Sequence, residues 1–170
     1  MTRRVAISIL AASASASVYL VVAWWRGAIG FPLDDAWIHQ VYARNLATRG
    51  EFAFFAGQPS AGSTSPLWTI LLSLGYLLHL DFRAWAYLLG IGLLAVSAFL
   101  AARLAEQIFA SHITHHVSRF ILPLFFFFEW HLAWSAASGM EILLFVFLSL
   151  LLLERFYARE RSWVLGLLAG

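Results

Sequence analysis

Two adjacent carboxylates, Asp34 and Asp35, are the residues of this sequence best suited to chemistry. Adjacent carboxylates repel each other, so one of the pair tends to have a raised pKa unless a cation lies near. A carboxylate tuned in this way suits a general base that deprotonates a hydroxyl nucleophile. The structural alternative is that Asp34 caps a helix and Asp35 complements its dipole. The residues alone leave both interpretations open.

Polar side chains follow the acidic pair at helical spacing. One turn separates Asp35 from His39, and Tyr42 continues the same face. These side chains could orient a substrate, or Asp35 and His39 could contribute to a site for a divalent cation such as Mg²⁺ or Mn²⁺. A plain polar cluster at the level of lipid headgroups is at least as good an interpretation. Arg44 could contact a phosphate, or extend to lipid headgroups as an interfacial arginine.

A turn of small polar residues, Gly62 to Pro66, precedes another predicted helix. Pro66 suits the first helical position, where a missing N–H costs nothing, and Ser65 suits the N-cap. Backbone N–H groups at that helix end would form an anion site suited to a lipid phosphate, together with the hydroxyls of Ser63, Thr64 and Ser65. Every capped helix has such an end, so this signal is weak by itself.

Glu141 is a further candidate carboxylate, two residues after Gly139 at the edge of an apolar segment. It could face the same cleft as Asp34, or it could complement a helix dipole. Three other titratable residues lack a convincing set of partners, and we interpret them as part of a solvated loop. They are His112, His115 and His116.

The remainder of the sequence is strongly apolar. It is 62% hydrophobic and 12% charged, whereas soluble proteins have roughly 45–50% and 25%. This excess predicts a polytopic membrane protein of the all-α class, a transmembrane helical bundle. The cationic residues are arginines without any lysine, a bias that marks cytoplasmic loops in membrane proteins rather than nucleic-acid binding. The absence of cysteine excludes disulfides and thiolate metal sites.

We predict one transmembrane domain over residues 1–170. Its first apolar run is long enough to cross a bilayer as a helix. Arg3, Arg4 and the Ala12–Ala16 stretch imitate a signal peptide, but the apolar run continues too far for that alternative. The predicted segments are a first span at 5–25, an outer catalytic loop at 26–65, a short helix at 66–80, and further membrane segments at 84–102, 120–137 and 142–153.

The outer loop contains a predicted amphipathic helix over 35–49, with Asp34 at its N-cap and Gly50 at its end. Its apolar residues recur at helical spacing. We expect this helix to lie on the outer membrane surface. The apolar stripe consists of Trp37, Ile38, Val41, Tyr42 and Leu46.

The N-terminal arginine pair places the N-terminus in the cytoplasm and the acidic loop outside. Two topologies then remain for the short helix. If it crosses the membrane, the loops at 103–119 and 155–161 both lie outside. If it stays on the outer side, both loops lie inside and Glu141 lies outside with Asp34. The arginine bias favours the second topology, which predicts that the two acidic sites can meet.

Three sequence motifs together resemble a known family. They are DDAWIHQVYARNLATRG, GQPSAGSTSPLW and WSAASGME, which begin at Asp34, Gly57 and Trp134. In this order after a first span, they resemble the N-terminal part of GT-C superfamily glycosyltransferases. The most similar branch includes arabinosyltransferases, protein O-mannosyltransferases and lipid A aminoarabinose transferases. The specific match covers roughly a quarter of the chain, and the joint spacing of the motifs is moderately specific.

The resemblance implies roles for particular residues. It implies that Asp34 is the catalytic base, that Asp35 is the second acid of the pair, and that Glu141 faces the same outer cavity. The turn before the short helix would approach the donor phosphate. Several relatives have a lysine there, whereas this chain has Ser65, so phosphate binding would fall to backbone N–H groups or to Arg44.

The implied reaction transfers a sugar from a polyprenyl-phosphate donor to a glycan, lipid or protein hydroxyl outside the cytoplasmic membrane, with inversion at the anomeric carbon. Some relatives use a divalent metal. Such enzymes have many more spans, so we expect this chain to be the N-terminal part of one. The alternative is a non-catalytic membrane module that associates with a partner subunit. A transporter fragment is less favoured, because the polar residues gather in a loop.

Overall fold

The computed structural model describes residues 3–109 and 117–157, and this part of the chain is predominantly helical. The predicted all-α class agrees with it, apart from one short antiparallel hairpin. His112, His115 and His116 lie outside the described residues. The elements are α1 (Arg3–Trp25), α2 (Asp34–Arg49), β1 (Ala53–Phe55), β2 (Gln58–Pro59), α3 (Pro66–Leu77), α4 (Phe82–Phe109), α5 (Val117–Phe128), α6 (Trp130–Ala137) and α7 (Ile142–Tyr157).

Two helices of the described chain are long and apolar enough to cross a membrane, over Val5–Trp25 and Phe82–Ala105. A third span results if α6 and α7, which are bent by 118° relative to each other, count as one broken span. Helix α3 has 12 residues, or about 18 Å at the rise of an α-helix, which is less than the ~30 Å hydrocarbon core of a bilayer. The predicted segment at 120–137 is divided between α5 and α6 at Glu129.

Helix α4 packs along α1 and α7, and α5 packs against α1. Helix α4 also contacts α6, where a small residue lets the two backbones approach closely, as in membrane helix pairs. An added Cβ at Gly90 would lie 2.1 Å from the carbonyl oxygen of Ala136. The buried core of this bundle consists of Ala12, Ala16, Leu94, Ala98, Phe126, Ala136 and Leu143.

The polar elements gather at one end of the bundle, which we call the Asp34 end. Here the Tyr87 hydroxyl, near the start of α4, donates to the Gly30 carbonyl just after α1, at 3.1 Å. At the opposite end Arg103 of α4 pairs with buried Glu154 of α7 at 3.0 Å. Helices α4 and α7 therefore run in the same direction, away from the Asp34 end.

A second core fixes α2 and α3 at the Asp34 end. Helix α2 packs on α3 mostly through small and polar side chains, so the sequence assignment of its faces was partly wrong. Tyr42 and Trp37, which the sequence placed on the same apolar stripe, differ in the structure: Tyr42 is buried, whereas Trp37 is 44% exposed. The core consists of Phe31, Ala36, Ala43, Trp68, Leu72, Ala86 and Leu144.

The predicted N-cap of α2 was also wrong. Leu33 occupies the N-cap without a side-chain hydrogen bond, and Asp34 is the first helical residue. Its Oδ1 accepts the backbone N–H of Asp35 at 3.1 Å. The end of α2 was correct, since Gly50 has φ 69° and donates its N–H to carbonyls of the last turn. Such a positive φ favours glycine.

Candidate functional site

Asp34 and Asp35 lie exposed in the first turn of α2. The positive end of the helix dipole favours two negative charges at this position. Neither carboxylate pairs with an arginine or histidine within residues 3–109 and 117–157. Both acids are therefore accessible from solvent.

His39 connects three elements behind the acidic pair. Its side chain is buried, with 1% of the residue exposed. Nδ1 lies 3.0 Å from the Ser63 hydroxyl, and Nε2 lies 3.1 Å from Oε2 of Glu141. The second contact has the distance of an ion pair but not the alignment of a hydrogen bond. His39 thus joins α2 to the loop before α3 and to the residue that precedes α7.

Part of the predicted anion-binding turn, Gly62 to Pro66, makes hydrogen-bond contacts within the protein. The Ser63 hydroxyl lies 2.8 Å from that of Thr69 and is buried. The Gly62 N–H donates to the Tyr42 hydroxyl at 2.9 Å. Ser65 occupies the N-cap of α3 as predicted, without a side-chain cap, and Thr64 is exposed. Thr64 is therefore the hydroxyl of this turn that faces solvent.

A tight contact holds the segment that carries Glu141 against the start of α2. Gly139 has φ 76°, and an added Cβ would lie 2.6 Å from the Phe31 ring. The Trp68 indole N–H donates to the Gly139 carbonyl at 2.8 Å. Both Phe31 and Trp68 are buried. The bend between α6 and α7 is thereby fixed beside the residues that lead into Asp34.

The two acidic segments accordingly lie at the same end of the bundle. Asp35 lies one helical turn from His39, and His39 contacts Glu141. The Glu141 side chain is 27% exposed. In the described part of the chain, no group of three or more His, Asp or Glu side chains is arranged to hold a metal ion. The predicted Asp35 and His39 pair therefore gains no third ligand there.

An apolar cavity of about 460 Å³ lies next to the residues that lead into α2. It extends from the C-terminal half of α1 to Pro32, two residues before Asp34. The sequence offered no signal for it, because its walls come from α1, α2, α4, α6 and the loop between α1 and α2. The lining residues include Tyr19, Leu20, Ala23, Ile29, Phe31 and Tyr87.

A second groove of about 300 Å³ lies between α2 and two facing residues, Tyr76 of α3 and Phe82 of α4, and it shares Trp37 with the apolar cavity. Arg44 lines it and is exposed. The Tyr76 hydroxyl donates to Oε1 of Gln40 at 2.9 Å. Burial raises the pKa of Tyr76, and the nearby Arg44 charge partly offsets that rise. Sequence reasoning missed Gln40 and Tyr76; the spacing of Gln40 and Arg44, one helical turn apart, was the available signal.

Within residues 3–109 and 117–157 the chain is predominantly helical, and two or three of its helical segments are able to span a membrane. Comparisons with protein-family models, with curated proteins and with solved structures find no match to this chain.

Proposed function

We propose that this chain is the N-terminal part of an integral-membrane glycosyltransferase of the GT-C type. The donor would be a polyprenyl-phosphate sugar, and the acceptor a hydroxyl of a glycan, lipid or protein. One observation carries the proposal: exposed Asp34 lies two residues after Pro32, which together with Phe31 lines an apolar cavity of about 460 Å³. A carboxylate beside an apolar cavity is what a base acting on a lipid-linked donor requires.

In the proposed reaction Asp34 accepts the proton of the acceptor hydroxyl. The hydroxyl oxygen forms a bond to the anomeric carbon of the sugar from the face opposite the phosphate. The bond between that carbon and the phosphate oxygen breaks, and the polyprenyl phosphate leaves with the electron pair as an anion. Inversion at the anomeric carbon follows from this single displacement.

Other residues of the Asp34 end would bind and orient the reactants. The cavity between α1 and α4 would hold the first part of the isoprenoid chain. Exposed Thr64 and the N-terminal N–H groups of α3 would face the donor phosphate. Asp35 and Glu141 would contact the sugar or the acceptor, and His39, which touches Glu141 at 3.1 Å, would fix that carboxylate.

The same proposal assigns the Asp34 end to the outer face of the cytoplasmic membrane. Arg3 and Arg4 at the start of α1 favour a cytoplasmic N-terminus. Because α1 and the parallel helices α4 and α7 run in opposite directions, Asp34 and Glu141 would then share the outer side. The supporting contacts are those of Tyr87 with Gly30 at one end and of Arg103 with Glu154 at the other.

The test is transfer by membranes that contain the protein, supplied with a panel of radiolabelled polyprenyl-phosphate sugars. Asp34→Asn should lower the rate by about 10²–10⁴-fold, the usual contribution of a general base. Asp81→Asn is the matched control, since it removes an exposed carboxylate at the start of α4 and should leave the rate unchanged. Wild-type rates in Asp34→Asn would contradict the proposal. Turnover that requires a second subunit and is unchanged in Asp34→Asn would favour the alternative, a non-catalytic membrane module that associates with a partner subunit.

A further inference from the structure

Two side chains of α2 with unpaired donor groups, Arg44 and Gln40, line the groove that α2 forms with α3 and the start of α4. Arg44 is exposed and pairs with no carboxylate in the described part of the chain. Gln40 lines the same groove, is 4% exposed, and its Nε2 has no hydrogen-bond partner. Tyr76 holds the other end of that amide, because its hydroxyl donates to Oε1 of Gln40 at 2.9 Å.

A buried amide N–H₂ without an acceptor costs free energy. Arginine and a side-chain amide one helical turn apart are a suitable donor set for a phosphate oxygen. A bound phosphate would supply the acceptor that Gln40 lacks and the anion that Arg44 lacks. The unpaired amide and the unpaired cation are independent observations: the amide lacks an acceptor, the arginine lacks an anion, and a phosphate supplies both.

The other walls of the groove are apolar. Trp37 and Val41 project from α2, and Phe82 begins α4. Trp37 is 44% exposed, and tryptophan concentrates at membrane interfaces, where its ring is half in lipid. A headgroup bound by Arg44 would therefore have room for an acyl chain against Trp37 and Phe82.

We propose that this groove binds an anionic phospholipid of the surrounding bilayer, with its phosphate on Arg44 and Gln40 and a chain against Trp37, Val41 and Phe82. The inference does not depend on the proposed transferase activity. The Cα atom of Arg44 lies about 15 Å along the helix axis from that of Asp34, at 1.5 Å per residue. The phosphate would therefore lie apart from the acidic pair, and only the acyl chain would extend to Trp37 in the first turn of α2.

The test is native mass spectrometry of the full protein in detergent, titrated separately with four ligands. They are dioleoyl phosphatidylglycerol, dioleoylglycerol with the same tails and no phosphate, undecaprenyl phosphate, and inorganic phosphate. Arg44→Gln is compared with Arg49→Gln, which removes an exposed arginine from the last turn of the same helix and outside the groove. Gln40→Glu is a second variant, in which a carboxylate replaces the amide donor beside the phosphate.

The expected result is that phosphatidylglycerol binds the wild type and Arg49→Gln equally. Binding should weaken by about tenfold or more in Arg44→Gln and Gln40→Glu, since a hydrogen bond to a charged group is lost. Dioleoylglycerol should not bind. Equal retention of phosphatidylglycerol by Arg44→Gln and Arg49→Gln would overturn the proposal. Binding of dioleoylglycerol as strong as that of phosphatidylglycerol would also overturn it. Binding of inorganic phosphate alone, or Arg44-dependent binding of undecaprenyl phosphate in preference to phosphatidylglycerol, would also overturn it.

Discussion

The indole N–H of Trp68 donates to the carbonyl of Gly139 at 2.8 Å, although the two residues are 71 positions apart in the sequence. Trp68 belongs to the first turn of α3, and Gly139 lies in the bend between α6 and α7. This buried bond, with the Phe31 ring packed on Gly139, connects the loop region around Asp34 to the helix that follows Glu141.

Trp68→Phe should destabilise the protein by about 1–3 kcal/mol, because the buried Gly139 carbonyl loses its donor while an aromatic ring remains. Thermal unfolding in detergent, followed by circular dichroism, measures the effect. Trp24→Phe is the control, since Trp24 is 69% exposed, and its melting temperature should equal that of the wild type. Identical melting temperatures for the two variants would show that the bond contributes nothing to stability.

Gly90→Ala should disturb the packing of α4 against α6. An added Cβ would lie 2.1 Å from the Ala136 carbonyl oxygen, and backbone, unlike a flexible side chain, cannot move away cheaply. We expect a loss of about 1–3 kcal/mol, the usual cost of overpacking. Gly92→Ala, one half-turn further along the same helix, meets nothing within 4 Å.

The pair forms a matched test, because alanine favours a helix over glycine at both positions. Gly92→Ala should unfold at the wild-type temperature or above it, and Gly90→Ala below it. Equal melting temperatures for the two variants would mean that α4 and α6 do not approach as closely as the structure has them.

Two amide replacements separate the contacts of His39. The amide nitrogen of glutamine reaches the position of Nε2, so His39→Gln retains the contact with Glu141. The amide nitrogen of asparagine reaches the position of Nδ1, so His39→Asn retains the contact with Ser63. If His39 orients Glu141 for transfer, His39→Gln should keep more activity than His39→Asn.

The measurement is the initial rate of sugar transfer beside the melting temperature of each variant. We expect His39→Asn to lose at least about tenfold more rate than His39→Gln, a difference of about 1.4 kcal/mol in transition-state stabilisation. If His39→Asn and His39→Gln transfer sugar at the same rate but differ in melting temperature, the role of His39 is structural only. The Asp34→Asn assay tests the activity independently of this comparison.

Asp81 should give the protein a pH-dependent stability. The Ala84 N–H, and next the charge of Arg83, lower the pKa of its exposed carboxyl. A group with a lowered folded pKa contributes stability above its unfolded pKa, about 3.9, and loses that contribution as the pH falls through the folded pKa. Asp81→Asn keeps the capping geometry at the start of α4 but removes this titration.

The difference in melting temperature between the wild type and Asp81→Asn should therefore shrink as the pH is lowered from 7 toward 3. Asp81→Ala additionally loses the hydrogen bonds to the N–H groups of Arg83 and Ala84. It should be less stable at neutral pH by about 1 kcal/mol, the usual cost of losing an N-cap. A constant difference across the pH range would contradict the assigned role.

Local signals in the sequence predicted much of the fold. Pro66 marked the start of α3 and Gly50 the end of α2, because proline and glycine restrict or extend the backbone in known ways. The end of α3 was missed: it stops at Leu77, and the chain turns at His79, whose φ is 55°, before Asp81 caps α4. Leu78 and Leu80 continue the apolar pattern of the helix past Leu77, so the sequence was interpreted as helical as far as residue 80.

The sequence indicated which residues form the candidate site better than it indicated the contacts between them. Asp34, Asp35 and Glu141 were identified from their charge in an apolar sequence. The contact of His39 with Glu141 depends on how α2 packs against the bend between α6 and α7, which no local pattern encodes. The groove at Arg44 was missed for the same reason, since its opposite wall comes from α3 and α4.

The Phe31 ring occupies the space that a Cβ at position 139 would need. Asn and Asp are the residues that best tolerate a positive φ after glycine. Either could replace Gly139 only if position 31 became smaller at the same time. In related sequences the two positions should therefore covary. Every sequence with a large residue at position 31 should have glycine at position 139.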